Sequence, residues 1–378
     1  MAISKLRIIQ FIPEFIVSGG ETMCANLCIG LKERGHEVLA VSLFNYQSSL
    51  TELLNNKGIE IKYLNKKPGF DISIFGKIKK IIKEFKPDVI HTHLYILNYV
   101  MPIANNLGIK VKIHTVHSVA SREQSSIRKK YAYYAYHYKN VKPIALSKEI
   151  QKTICEEYKL KEENVPIVFN GEEASHIKKK DDYSFKTFNI LHVGRFVELK
   201  NQLMIVEVIE RLINEGLNIK MTFTGNYEND YGQKVREYVK ERRLESAVVF
   251  KGIVNGIEKV FSEADIFVLP SKFEGMPMTI IEAMSAAMPI IASNVGGIKD
   301  MLTNDYNAIL INPNKEELYK AIKELYFDIE KREFLGNNAY KEKDKYSREN
   351  MASAYESEYF KILKKGAEND WYTYTSIA

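Results

Sequence analysis

Apolar residues recur along this chain in short unbroken runs, and the stretches between them carry apolar side chains at helical spacing. In the first half the runs are LRIIQFI (6–12), EVLAVSLF (37–44), IEIKYL (59–64), DVIHTHL (88–94), VKIHTV (111–116), KPIALS (142–147) and VPIVFN (165–170). The second half repeats the scheme with FNILHVG (188–194), IKMTFTG (219–225), AVVFKG (247–252), DIFVLP (265–270), PIIASN (289–294) and AILIN (308–312). Runs that do not alternate polar with apolar positions fit strands covered on both faces, as in parallel sheets. Strands alternating with helical stretches imply βαβ units with right-handed crossovers. The segment 171–187, GEEASHIKKKDDYSFKT, is charge-dense and has no apolar period, which predicts a linker. The pattern therefore predicts an α/β protein with two doubly wound parallel-sheet domains, 1–170 and 188–345. Residues 346–365, beginning YSRENMASAYESEYFKIL, predict an amphipathic helix with Met351, Ala354, Tyr355, Tyr359 and Ile362 on its apolar face. That face needs a partner, expected to be the first domain, and 366–378 is expected to form a loosely held tail.

Composition narrows the class. A length of 378 residues suits two domains, and 45% hydrophobic with 27% charged residues excludes disordered, collagenous and coiled-coil chains. No run approaches the roughly 18 apolar residues of a membrane span, and MAISKLRIIQFIPEF reads as a first strand rather than a secretion signal. Cys24, Cys28 and Cys155 have no zinc spacing and are odd in number, which points to a reducing, cytoplasmic compartment. The net charge of +6 is uneven: residues 1–185 carry +9 and the remainder −3. A basic first half suits anionic lipid, nucleic acid or a phosphorylated substrate.

Ligands of open α/β sheets bind beyond the carboxyl ends of the strands, so the residues just after each run carry the chemistry. VSGGE (17–21) places Gly19 and Gly20 at a helix start, where backbone N–H groups can meet an anion or simply make a tight turn. The dinucleotide pattern G-x-G-x-x-G is missing. His91 and His93 on one strand could share a metal, although packing explains them equally and no carboxylate or thiol cluster accompanies them. His117 differs in falling in the loop after its strand. HVGRFVELKNQ (192–202) sets Arg195 and Lys200 between a strand and a helix, where two cations can hold a diphosphate or merely face water. In PSKFEGMPMTIIEAM (270–284), Glu274 lies in a turn, as ligand or helix cap, and Glu282 lies in an otherwise apolar helix. A carboxylate there needs a hydrogen-bond partner, and the vicinal diol of a ribose is a suitable one.

Taken in order, the GGE loop, HTHL, HTVH, ALSKEI, FNGE, VGRFVELKN, FKG, EADIFVLPS and EGMPMTIIEA segments resemble the retaining glycosyltransferases of family 4 along the whole chain. The resemblance implies the GT-B fold, two Rossmann-like domains facing across a cleft, with a terminal helix crossing back to the first. It implies that Arg195 and Lys200 grip the donor diphosphate, and that Glu282 takes the ribose hydroxyls. Glu274 with the backbone of Gly275, Met276, Pro277, Met278 and Thr279 would hold the transferred sugar and the phosphates. His117 would lie beside the sugar near its C6 side, and Gly20 with Gly19 would close on the donor. Gly225 and the backbone of Gly252, Ile253 and Val254 would meet the nucleotide, and Asn170 would line the crossover between domains. FNGE departs from the commoner pattern, in which an aspartate follows the glycine region, so no role is carried to Glu172. No D-x-D occurs, and the resemblance implies no metal and no cofactor, the donor being a substrate, with uridine the expected base.

The expected reaction is metal-independent transfer, with retention, from a UDP-sugar to a hydroxyl of a glycan or lipid-linked acceptor in bacterial surface polysaccharide synthesis. Two basic amphipathic stretches, 76–86 and 122–139, would let the protein rest on an anionic inner membrane face. Rival readings are a nucleotide-sugar epimerase of the same architecture and a non-catalytic nucleotide-sugar-binding protein. A nucleic-acid binder is disfavoured because the basic charge is spread over helices with no stacking motif.

Overall fold

The computed structural model describes residues 5–69, 71–123, 125–254 and 256–375, with side chains given for all of these except Arg122 and 365–375. The chain divides into two compact units, one formed by 1–172 together with 347–378 and the other by 173–346.

The first unit is built on six parallel strands: β1 (Arg7–Ile12), β2 (Glu37–Ser42), β3 (Glu60–Tyr63), β4 (Val89–His93), β5 (Val111–Val116) and β6 (Val141–Ala145), in the order β3-β2-β1-β4-β5-β6. The second has β7 (Phe188–Val193), β8 (Ile219–Thr224), β9 (Val248–Phe250), β10 (Ile266–Leu269), β11 (Ile290–Ser293) and β12 (Ile309–Ile311), in the order β12-β11-β10-β7-β8-β9. Read from the other edge, the second order is the first one repeated. Every described pairing is parallel. β4, β5, β10 and β11 are buried along their whole length, which is why, Lys112 on β5 apart, their sequences run apolar or neutral without alternation.

Three expectations need correction. VPIVFN does not form a strand: Pro166 interrupts it, and only a single bridge joins Ile167 to Ala145. The 171–187 segment is not a free tether. Its Tyr183 hydroxyl donates to Ala287 O at 2.9 Å, Lys180 pairs with buried Asp265 at 3.1 Å, and Arg332 donates to Tyr183 O at 2.8 Å. Its charges mark an extended strap fastened to the second unit, a pattern that carries no helical or strand period. The last helix, Arg348–Thr375, also extends well past residue 366. Side chains of the expected tail lie outside those described.

The Arg348–Thr375 helix packs on the helix Gly19–Glu33. Met351, Ala352, Tyr355 and Tyr359 are buried, and Ala354 is only half-buried, so the apolar face is turned by about half a helical step from the predicted one. Polar contacts fasten the same face: Glu356 binds both Arg34 (2.6 Å) and buried His36 (2.7 Å). Gly30 is required there, because a Cβ would lie 2.8 Å from that of Ala352.

Candidate active site

In the second unit β7 and β10 are sheet neighbours, so the loops that follow them adjoin. Two hydrogen bonds tie these loops together: Lys272 N to Leu199 O (2.7 Å), and Asn201 Nδ2 to Pro270 O (2.8 Å). Asn201 can make the second because it sits at φ 58°, a left-handed conformation that asparagine tolerates. The next residue opens the helix Gln202–Asn214.

Lys200 Nζ then reaches Glu274 Oε1 at 2.6 Å, and the Ser271 hydroxyl donates to the same oxygen at 2.5 Å. Glu274 is 8% exposed, so its charge depends on these two partners. Behind the pair, Gly296 presses its backbone on Glu274. Its φ is +53°, and a Cβ would come within 1.8 Å of Glu274 O; the next amide, Gly297 N, donates to that carbonyl at 3.0 Å. Arg195 is exposed at the end of β7, and its backbone is held from below. Gln202 Nε2 donates to Arg195 O (2.8 Å) and to His192 Nε2 (3.3 Å), while His192 Nδ1 donates to Val268 O (2.9 Å). His192 is neutral, its pKa pushed down to about 3 chiefly by burial.

Glu282 lies on the helix Met278–Ser285, which follows the loop that carries Glu274. Its Oε2 is buried with no hydrogen-bond partner, and burial raises its pKa to about 7. The Thr279 hydroxyl on the same helix is likewise buried and unpartnered. Unsatisfied buried oxygens are costly, and two on the first turns of one helix mark a place prepared for a hydrogen-bonding ligand. Gly275 is partly accessible, while Met276, Pro277 and Met278 are buried with their side chains inward.

Gly225 is needed for backbone packing, since at φ 131° a Cβ would lie 2.1 Å from Gly194 O. It brings the end of β8 against the β7 loop and donates to Gly252 O at 2.8 Å. Ile253 is exposed and Val254 partly so.

In the first unit β1 and β4 are neighbours, and their ends hold a neutral network. His93 Nε2 bonds Gln10 Oε1 (2.8 Å), and His93 Nδ1 bonds His117 Nε2 (3.1 Å). His91 bonds Tyr359 OH (2.9 Å) and Thr115 Oγ1 (2.8 Å), and its ring lies 4.2 Å from that of His93, tilted by 31°. With all four ring nitrogens engaged by the protein, the H-x-H pair serves packing here. Gly20 opens the helix Gly19–Glu33 directly against His117: a Cβ would lie 3.2 Å from Nδ1, whereas at Gly19 it would meet nothing within 4 Å. Asn170 is buried in this unit.

The family model described as "Glycosyltransferase Family 4" matches residues 17–174, and that described as "Glycosyl transferases group 1" matches 173–342. The capsular polysaccharide biosynthesis glycosyltransferase CapH of Staphylococcus aureus is 30% identical over 287 residues, covering 73% of this chain and 78% of CapH. This chain belongs to the group 1 glycosyltransferases. The UDP-Gal:alpha-D-GlcNAc-diphosphoundecaprenol alpha-1,3-galactosyltransferase of Escherichia coli is 27% identical over 263 residues, 65% of this chain and 67% of that one. Among solved structures, Anabaena HepE in complex with UDP and glucose superposes with a TM-score of 0.80 at 18% identity, covering 92% of this chain and 98% of HepE. That likeness shows that the glycosyltransferase has the GT-B fold.

In this glycosyltransferase the structure joins Lys200 and Glu274 directly and places Arg195 and Glu282 on the two loop–helix segments that flank them. Sequence reasoning missed Ser271, Gln202, His192 and Gly296. VGG (295–297) was the available signal for the last, since paired glycines after a strand suggest close backbone approach. Nothing local marks Gln202 or His192, whose roles arise only when β7, β10 and the Gln202–Asn214 helix come together.

Proposed function

We propose that this glycosyltransferase moves a sugar from a UDP-sugar to a hydroxyl of a glycan or lipid-linked saccharide during bacterial surface polysaccharide synthesis, with retention and without a metal ion. The observation that carries this reading is the Lys200–Glu274 pair, its carboxylate buried, on the loop before a helix whose Glu282 oxygen has no partner. Such a set offers a cation to a diphosphate, amides to its oxygens and a carboxylate to a ribose diol. HepE, of the same fold, was crystallised with UDP and glucose. The E. coli relative acts on a diphosphoundecaprenol-linked acceptor, and CapH serves capsule synthesis.

In the proposed reaction the bond between the anomeric carbon and the diphosphate oxygen breaks, and its electron pair leaves with the diphosphate. Arg195 and Lys200 balance that charge; one preorganised group of this kind lowers the barrier by about 3–4 kcal/mol. The acceptor oxygen bonds to the anomeric carbon from the face the diphosphate leaves, and its proton passes to the departing phosphate oxygen. Glu274, already engaged by Lys200 and Ser271, orients sugar hydroxyls rather than attacking. A thermal-shift panel of UDP-, GDP- and ADP-sugars tests the donor, since a ligand at ~100 times its Kd adds about 2.7 kcal/mol. No shift with any UDP-sugar would overturn the reading. A product of inverted configuration would overturn retention, and turnover of donor to an epimer without acceptor would favour the epimerase.

For the membrane surface, the two basic helices part company. The helix Ser73–Phe85 spends Ile74, Ile78, Ile81 and Ile82 on the core. The helix Ser126–Tyr138 turns Ile127 (84% exposed), Tyr134 and Tyr138 (66% exposed) outward beside Lys130. Membrane docking is therefore assigned to this second helix, with aromatic and aliphatic groups available for the interface. None of the described helices is long and apolar enough to cross a bilayer. Sedimentation with phosphatidylglycerol vesicles should retain the protein and lose the Ile127→Asp/Tyr138→Ser variant; wild-type protein left in the supernatant would refute docking.

A further inference from the structure

Three described tyrosine rings each carry two cations, and at two of them carboxylates answer the charge. At Tyr319 in the second unit, Arg211 lies 3.5 Å and Lys323 5.2 Å from the ring centroid. Glu215 joins the two, 3.5 Å from Arg211 and 2.7 Å from Lys323, and accepts from the Tyr319 hydroxyl as well. At Tyr340, Lys343 and Lys179 pair with Asp344 (2.7 Å) and Asp181 (3.8 Å). Tyr99 in the first unit carries Arg128 at 5.8 Å and Lys66 at 6.0 Å. Among the described residues neither of these cations has a carboxylate partner. Lys66 donates to Lys67 O and Gly69 O, and Arg128 lies also over the Tyr95 ring at 5.3 Å. Two like charges gathered on one ring repel, and an aromatic face offsets part of a cation's charge without taking its N–H donors as an oxygen does.

The place of these groups is equally informative. Lys66 follows β3, Tyr95 and Tyr99 follow β4, and Arg128 follows β5. Phe44, whose ring lies 5.8 Å from Lys66, follows β2. All five side chains are half-buried at the carboxyl end of the sheet, where open α/β sheets bind ligands. We propose that Arg128 and Lys66 hold the phosphates of a diphosphate-linked saccharide, which occupies at Tyr99 the place that Glu215 fills at Tyr319. The guanidinium can take a phosphate through two N–H groups, the ammonium adds a point charge, and the Tyr95 and Tyr99 rings are offered to the sugar. This inference rests on the proposed function for calling that saccharide the acceptor; it makes the acceptor anionic. The site itself needs neither a nucleotide sugar nor a group from the second unit.

Titration calorimetry on the full-length protein, without nucleotide, tests it with three probes: N-acetylglucosamine diphosphate, its octyl ester, and uncharged octyl N-acetylglucosaminide. The charged octyl probe should bind about tenfold more tightly than the uncharged one. Arg128→Gln and Lys66→Gln should each weaken the charged probes about 5- to 10-fold and leave the uncharged probe alone, while Lys200→Ala should change none of them. Equal affinity for charged and uncharged probes overturns the site, as does binding lost in Lys200→Ala but kept in Arg128→Gln. Vesicle retention that falls in Arg128→Gln while the soluble probes ignore the substitution also overturns it, because the cation then serves lipid headgroups. Affinity gained from the octyl tail marks a lipid-borne ligand and parity a soluble one, the site standing in both cases. Charged-probe binding that follows Arg128 and Lys66 in a protein responding to no UDP-sugar upholds the site and overturns the proposed function. UDP-sugar binding without that preference does the reverse.

Discussion

The ends of β1 and β4 in the first unit and of β7 and β10 in the second occupy the same place in two sheets of the same order, yet they are finished in opposite ways. The first is filled by neutral groups: His93 is bonded to Gln10 and His117, and His91 to the hydroxyls of Tyr359 and Thr115. The second holds a charged pair, Lys200 and Glu274, with an unpartnered carboxyl oxygen on Glu282 nearby in sequence. One topology thus yields a self-satisfied, neutral wall and an ionic, incompletely satisfied cradle. The difference follows from what lies after each strand. A histidine-bearing strand end buries its own polar groups, whereas a Gly/Pro loop leading to a helix presents amides and leaves charge to be completed by a ligand.

The comparison breaks hardest at Lys200. Lys200→Ala should lower kcat by about 10²–10³-fold. It also leaves Glu274 with Ser271 alone, and urea unfolding should show a loss on the order of 2 kcal/mol, below the figure for a fully buried pair because Lys200 keeps some solvent. Adding Glu274→Gln should restore that stability but not the turnover. Full activity in Lys200→Ala would remove the ionic half of the contrast. Next is Gly296→Ala, which places a methyl group into Glu274 O at a positive φ. Unfolding should reveal a cost of about 3 kcal/mol with activity lost in parallel, and a neutral result would show that Glu274 is not held from behind.

A smaller effect separates the units by pH. Burial raises the Glu282 pKa to about 7, and only its carboxylate can accept from both hydroxyls of a diol, so UDP affinity should rise about tenfold from pH 6 to 8 and be flat in Glu282→Gln. In the absence of nucleotide the sign is reversed. A carboxyl whose folded pKa is raised contributes fully below its unfolded value and loses that contribution as pH rises through about 7. Glu282→Gln should therefore raise the Tm at pH 8 and leave it little changed at pH 4.5. His91, His93, His114 and His117 of the first unit act oppositely: with folded values depressed, their contribution stands above about pH 6.5 and is lost on acidification. The mildest test is Gly20→Ala against Gly19→Ala. The first must shift the His117 ring by a few tenths of an ångström and should reduce kcat/KM several-fold, while the second meets open space and should change little.

The sheets were legible because parallel strands buried on both faces leave unbroken apolar runs, and twelve of the thirteen runs became strands. VPIVFN failed because an apolar run with a proline can pair by one bridge as readily as by a ladder. At the site, Arg195, Lys200, Glu274 and Glu282 were legible as charges at improbable positions. Ser271 and Gln202 were not, because a serine after a strand or a glutamine at a helix start occurs everywhere, and the loops they serve are brought together by a tie, Asn201 to Pro270, that spans 69 residues. Nor did spacing show which of the two basic helices spends its apolar face on the core. That depends on the neighbour against which each helix lands.

Tyr355 and Tyr359, which complete the hydrogen bonds of Thr115 and His91, belong to the final helix although their partners lie on β4 and β5. During synthesis those strands leave the ribosome more than two hundred residues before the hydroxyls that they require. A nascent chain can therefore finish the second unit while the first still has open polar groups beneath its surface, and the amino-terminal half matures last. Premature termination between residues 347 and 354 would spare the later-made unit and leave the earlier-made one incomplete.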